Sequence, residues 1–136
     1  MIADTHTIYT DAGSRGNPGH AAAAAILLDS KGLLVDLNGE YLGITTNNIA
    51  EYEGLILGLR LALKHKCKKI ICTMDSELIV KQVRGEYKVK DNNMKIKYNI
   101  VTELLKEFES MEFRHVMRED NTSADKLVNI ILDSVH

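Results

Sequence analysis

Long apolar runs are missing from this sequence. The longest, such as Ala21 to Leu28, fall well short of the roughly 20 residues a membrane-spanning helix requires. The opening MIADTHT has no basic segment followed by an apolar core, so no signal peptide is expected and the cytoplasm is the expected compartment. Cysteine is scarce. Cys67 and Cys72 read as free thiols of a reducing compartment, and two cysteines alone do not make a zinc site. Proline occurs once, at Pro18, in the first loop. Neither sign of charge dominates. With 17 Lys and Arg against 19 Asp and Glu, the net charge of −2 argues against a general polyanion binder, but it leaves room for a local basic patch. No internal repeat, low-complexity tract or linker divides the chain.

What remains is an ordinary globular balance, 45% hydrophobic and 26% charged, in 136 residues. That length fits a single domain over 1–136. Thr5 to Thr10 reads as a strand closing at Asp11. AAAAAILLD (21–29) reads as a second strand, although alanine alone favours helix. After the turn SKG, residues 33–43 return as a third strand, giving an antiparallel meander. Residues 45–66 are helical, since Ile49, Tyr52, Ile56, Leu59 and Leu63 keep the three-and-four spacing. Then come a short strand (68–74), a helix (75–85) stopped by Gly85 and a lysine-bearing loop (87–93). A helix (94–108), a strand (111–117) and a last helix from Thr122 complete the chain. The order is βββαβααβα. Strands joined through helices run parallel, so an α/β fold with a five-stranded mixed sheet and helices on its faces is expected.

Four carboxylates stand at informative places. Asp11 closes the first strand and Asp75 closes the fourth, and carboxyl ends of parallel strands gather where ligands bind. Taken singly, Asp11 is also a turn former, and Asp75 or its neighbour Ser76 a helix cap. Glu51 shares a helix face with Leu55, Gly58 and Ala62, while Glu53, Arg60 and Lys64 lie opposite. A carboxylate turned inward is costly unless paired with a cation or bound to a metal. Asp125 fits a capping box with Thr122, and equally an inward position beside Val128 and Leu132. If the four converge, their mutual repulsion calls for hard divalent cations, chiefly Mg²⁺ or Mn²⁺. Two such ions suit in-line phosphoryl chemistry.

DAGSRGNPG (11–19), TTNNIAEYEGL (45–55), MDSELIV (74–80) and RHVMREDNTSAD (114–125) resemble, in order, the motifs of type 1 ribonuclease H, in its compact prokaryotic form. The resemblance implies a ribonuclease H-like fold and a metal-dependent endonuclease that hydrolyses the RNA strand of RNA/DNA hybrids. It implies two Mg²⁺ or Mn²⁺ ions on Asp11, Glu51, Asp75 and Asp125, with Asp11 bridging. His115 takes the place of the general base or product-release histidine, and Arg118 is its rival. Asn47 and Asn48 would hydrogen-bond the hybrid across its minor groove, where the 2′-hydroxyl distinguishes RNA. Gly13, Arg15, Ser76, Lys88, Lys90 and Asn121 are the further expected substrate contacts, with Arg15 on a phosphate. The loop from Gly85 to Met94 is short and offers only Lys88 and Lys90, Arg84, and Lys95 and Lys97 beyond. Weak binding with strong salt dependence is therefore expected. Ala12 replaces a frequent glycine, and Asp91 places a negative charge beside that path. No membrane and no obligate protein partner is implied, and a monomer is expected. An integrase-like enzyme suits the asparagine-glutamate segment less well, a non-catalytic hybrid binder would not need all four carboxylates, and nothing points to a polymerase partner.

Overall fold

The run Ala21 to Ala25 is strand, against its propensity, because of where it lies. The computed structural model describes residues 5–135; Met1 to Asp4 and His136, on which the leader reading and one histidine fell, lie outside the described residues. The elements are β1 (Thr5–Gly16), β2 (Gly19–Leu28), β3 (Leu34–Thr45), α1 (Asn47–Lys64), β4 (Lys69–Met74), α2 (Glu77–Val83), α3 (Asn92–Leu105), β5 (Ser110–His115) and α4 (Thr122–Asp133), with a 3-10 turn at Arg118–Asp120. The order βββαβααβα is as expected, apart from that turn. One sheet runs β3-β2-β1-β4-β5. β2 is antiparallel to β1 and β3, and β4 is parallel to β1 and β5.

Helices cover both faces of β2, so its side chains must be small. Ala25 and Leu27 pack with Ile8 and the α1 residues Leu55 and Leu59 in the main core, which also takes in α2 and α3. Ala22 and Ala24 face the other way, against Val128 and Leu132 of α4. All five alanines are fully buried. Tertiary burial overrides helix propensity here, as it commonly does.

α1 is the element that carries the asparagines and Glu51. Thr46 caps it, its hydroxyl accepting from the Ile49 N–H at 3.3 Å. Tyr52, Leu55 and Leu59 are fully buried beneath it, and each such side chain contributes about 1.5–3 kcal/mol. Two glycines let the helix press on β1. A Cβ on Gly58 would stand 2.7 Å from Ile8 Cγ2 and 2.8 Å from Thr10 Cγ2, and one on Gly54 would stand 3.1 Å from the Asp11 carbonyl oxygen.

β1 is longer than expected. It does not stop at Asp11 but continues to Gly16, pairing Arg15 with His20 and Gly16 with Gly19 across a tight hairpin. Gly16 turns there with φ 99°, and the Asn17–Pro18 peptide is cis. What stops near Asp11 is the pairing with β4, whose last rung is Tyr9 with Thr73. Turn-forming residues masked a strand whose partner is the next strand of its own hairpin. The capping box expected at the start of α4 does not form. Asn121, not Thr122, is the N-cap, and its side chain makes no capping bond.

Candidate active site

Where β1 and β4 part, a gap opens that backbone pairing no longer fills. Asp11 stands on β1 at that point, and Asp75 follows the end of β4. Glu51, one turn into α1, reaches across. Carboxylate oxygens of Asp11, Glu51 and Asp75 lie within 4.8 Å of one another. Asp125, one turn into α4, lies outside that group of three but lines the same cleft and acts on Asp11 electrostatically.

The electrostatics follow from burial. Asp11 is 5% exposed and Glu51 8%. Desolvation, followed by the charge of Asp75, pushes the Asp11 carboxyl up to about 7. Burial and then the charge of Asp11 raise Glu51 well above its ordinary value. Asp75 is raised chiefly by desolvation, with Asn121 and Arg118 pulling the other way. No lysine or arginine neutralises Glu51 among the described residues. Its Oε1 accepts the Ala12 N–H at 3.1 Å. Its Oε2 is buried without a partner. A buried, unpartnered carboxylate oxygen facing two further carboxylates is an oxygen donor set that fits a hard divalent cation.

The surrounding cleft has a volume of about 490 Å³. Of the expected residues, Asp11, Gly13, Arg15, Asn47, Asn48, Glu51, Asp75, Ser76, Arg118 and Asp125 line it. Ser76 is also the cap of α2, its hydroxyl accepting from Ile79 N–H at 3.4 Å. Asn47 is fixed by β1: its Oδ1 accepts the Ser14 N–H at 2.8 Å and the Ser14 hydroxyl at 3.1 Å. Its own N–H donates to Asn17 Oδ1 at 3.1 Å. The Asn47 amide nitrogen is thereby aimed as a donor. Ser14 and Asn17 are the positioning residues that the sequence reading missed. Only the long-range pairing of the hairpin with α1 reveals them.

Other expected contacts are placed differently. Asn121 is 2% exposed, so it cannot reach a duplex; its amide donates to the Thr10 carbonyl at 2.8 Å and steadies Asp75 instead. Arg15 lies at the cleft but holds α4, with Asp133 at 2.6 Å. Lys88 and Lys90 are exposed and outside the cleft. Arg84 donates to the Phe113 carbonyl of β5. Lys97 pairs with Glu53 at 2.7 Å, joining α3 to α1. Asp91 caps α3, accepting from the Met94 N–H at 2.9 Å. Ala12 has no left-handed backbone, so alanine is accommodated there.

His115 and Arg118 flank the carboxylates. His115 ends β5 opposite Met74, next to Asp75, and is exposed. Arg118 reaches Asp125 at 3.6 Å. His115→Ala is expected to slow turnover by roughly 10²–10⁴-fold, the range for a lost general acid or base, with divalent-cation binding by calorimetry unchanged. A silent His115→Ala beside a damaging Arg118→Ala would transfer the role to Arg118.

Residues 9–130 match the family model described as reverse transcriptase-like. The structure of RNase H1 from Halobacterium salinarum superimposes with a TM-score of 0.94 at 37% identity, covering 96% of this chain and 99% of that one. The chain belongs to the ribonuclease H family. LC11-RNase H1, solved in complex with an RNA/DNA hybrid, superimposes with a TM-score of 0.90 at 40% identity, covering 94% of this chain and 96% of that one. Ribonuclease HI of H. salinarum is 38% identical over 92% of this chain and 63% of its own length. A bifunctional protein of Mycobacterium tuberculosis is 38% identical over 93% of this chain, which spans only 35% of that relative. Ribonuclease H membership accounts for the acidic centre, because the family implies divalent metal use. Among the described residues, no helix is long and apolar enough to cross a membrane.

Proposed function

We propose that the chain hydrolyses the RNA strand of RNA/DNA hybrids and leaves 5′-phosphate and 3′-hydroxyl ends. The observation that carries this reading is the convergence of Asp11, Glu51 and Asp75 in an open cleft that Asn47 and Asn48 also line. Asp11, Glu51, Asp75 and Asp125 would hold two Mg²⁺ or Mn²⁺ ions. When bound, these ions supply charge neutralisation and water activation at neutral pH.

The chain's own residues do the rest. Glu51 is held by the Ala12 N–H, which leaves its second oxygen unpartnered and open to a cation. Asn47 and Asn48 bind the hybrid from its minor groove, the amide nitrogen of Asn47 donating because its oxygen is taken by Ser14. Gly13 and Ser76 leave the cleft floor open to a backbone. His115, exposed beside Asp75, exchanges a proton with the departing group or with solvent. Lys88 and Lys90 neutralise few phosphates, so hybrid binding is weak but falls only shallowly with salt, against the strong dependence expected from the sequence, because each neutralised phosphate adds about 0.9 to the log–log slope. The protein acts as a monomer in the cytoplasm.

A DNA/DNA duplex carrying a short run of ribonucleotides in one strand tests the reading. Cuts are expected within the ribonucleotide run alone, with 3′-hydroxyl ends by end-labelling. Asn48→Ala is expected to weaken cleavage more than it weakens cation binding. Cuts in the all-DNA strand, or 2′,3′-cyclic phosphate ends, would sink it.

A further inference from the structure

Between the end of α1 and the start of β4 lie Lys64, His65, Lys66, Cys67, Lys68 and Lys69. Four lysines without a carboxylate form a concentrated exception in a chain of net charge −2. Lys66 adds a second, independent observation. Its φ is 58°, and it is the one non-glycine in the left-handed region among the described residues. It sits just past the C-cap of α1, in a Schellman turn. The Cys67 N–H donates to the Ala62 carbonyl at 3.0 Å, and the Lys66 N–H donates to the Leu63 carbonyl at 3.0 Å. Glycine is the default at such a position, because a Cβ is strained there. A lysine kept against that strain points to a use for its side chain.

The charges are available. Lys64, Lys66 and Lys68 are exposed. Lys64 touches Asp36 at 3.3 Å with its side chain 69% exposed, and Asp36 is held more closely by His65, at 2.7 Å. Among the described residues, Lys66 and Lys68 pair with no carboxylate. Glu109 is the acidic residue that the backbone brings beside them, its N–H donating to the Lys68 carbonyl at 2.8 Å, and among the described residues its carboxylate forms no ion pair with a lysine. α1 is 18 residues long, so this end lies about 27 Å from the asparagines at the other end of the helix. The lysines therefore lie outside the cleft, none of them among its lining residues.

We propose that residues 64–69 form a second nucleic-acid contact, which takes the phosphate backbone of the strand extending beyond the duplex held in the cleft. Lysine suits this task, since a flexible point charge adapts to phosphates whose spacing is not fixed. The substrate's own flank is also the polyanion present at the highest effective concentration. The identity of that strand rests on the hybrid being the substrate; the charge of the surface does not.

Two substrates separate these points: a blunt hybrid of about 12 base pairs, and the same hybrid with a single-stranded DNA overhang of about 20 nucleotides. Affinity of the wild type for the overhang substrate should fall more steeply with salt, by roughly 0.7 in log–log slope per phosphate neutralised, or about 2 for three lysines. The variant Lys64→Gln/Lys66→Gly/Lys68→Gln should lose that extra slope and bind the overhang substrate roughly tenfold more weakly. Its kcat/KM on the blunt hybrid should stay within about twofold of wild type. Lys66→Gly alone should raise the melting temperature by a few degrees while weakening overhang binding, a pair of changes that a merely structural lysine would not give. Equal affinity and slope for both substrates, or a triple variant that keeps the difference, overturns the proposal. So does a poly-glutamate peptide that binds more tightly than an overhang strand of equal charge, because the surface would then belong to an acidic protein partner. Anisotropy with the overhang strand alone, in EDTA, reads the lysines even if no hybrid is cut, so failure of the hybrid reading and failure of this one are told apart.

Discussion

Asp11→Asn is expected to lower kcat by at least about 10³-fold, the order seen when a group acting on transition-state charge is removed, while making the metal-free protein more stable. Both effects have one cause. Asp11 is buried among like charges, and this holds its carboxyl at about 7 in the folded chain. The unfolded chain releases the same proton near 4. Between these values the folded state binds the proton that the unfolded state has lost, so stability falls as pH rises. The amide carries no charge and escapes that loss. The melting-temperature gap between Asp11→Asn and wild type, measured in EDTA, should be small at pH 4 and widen up to pH 7. It should reach several degrees, for a difference of roughly 2–4 kcal/mol. Excess Mg²⁺ should close the gap by stabilising the wild type alone. Asp75→Asn should behave likewise with a smaller gap, since Asn121 and Arg118 already ease its charge. A gap independent of pH and Mg²⁺, or near-normal turnover in either variant, would remove that residue from the metal set.

Gly58→Val should be the most damaging substitution that touches no carboxylate. A Cβ there already falls 2.7 Å from Ile8 Cγ2, and Ile8 and Thr10 are fully buried with nowhere to move. Overpacking costs typically 1–3 kcal/mol, and valine's branches add to it. The melting temperature should fall by roughly 5–10 °C. The helix can relieve the clash only by lifting from β1, and Glu51 lifts with it, away from the Ala12 N–H. Misplacing a ligand by about 1 Å can cost on the order of 10²-fold, so turnover of the folded fraction should fall even well below the melting temperature. Gly58→Ala is milder, because alanine's better helix propensity, about 1 kcal/mol, offsets part of the clash. A valine variant with wild-type melting and turnover would show that α1 is not held by this approach.

Much of this protein is written locally. The period of apolar residues marks α1, and the inward side of Glu51 follows from Leu55, Gly58 and Ala62 sharing its face. The order of strands and helices is legible because connection through a helix dictates parallel pairing. The four motifs, read in order, point to the ribonuclease H family before any coordinates are known. Residues whose role depends on a distant partner are not legible in that way. Asn121 looks like a loop contact, yet burial turns it into a brace between the Thr10 carbonyl and Asp75. Arg15 looks like a phosphate ligand, and in the structure it lines the cleft while also holding Asp133, 118 residues away in sequence. Asp11 looks like a strand terminus, because glycine, serine and proline follow it, but the hairpin with β2 extends the strand to Gly16. The alanine run is legible as a strand from its shortness and flanking loops, against its helix propensity, and the helices packed on both faces supply the reason small residues are favourable there. Local periodicity and spacing therefore determined the elements and the chemistry of the carboxylates. Tertiary packing decided which polar groups face substrate and which hold the frame, because burial and long-range hydrogen bonds are properties of the assembled sheet and helices.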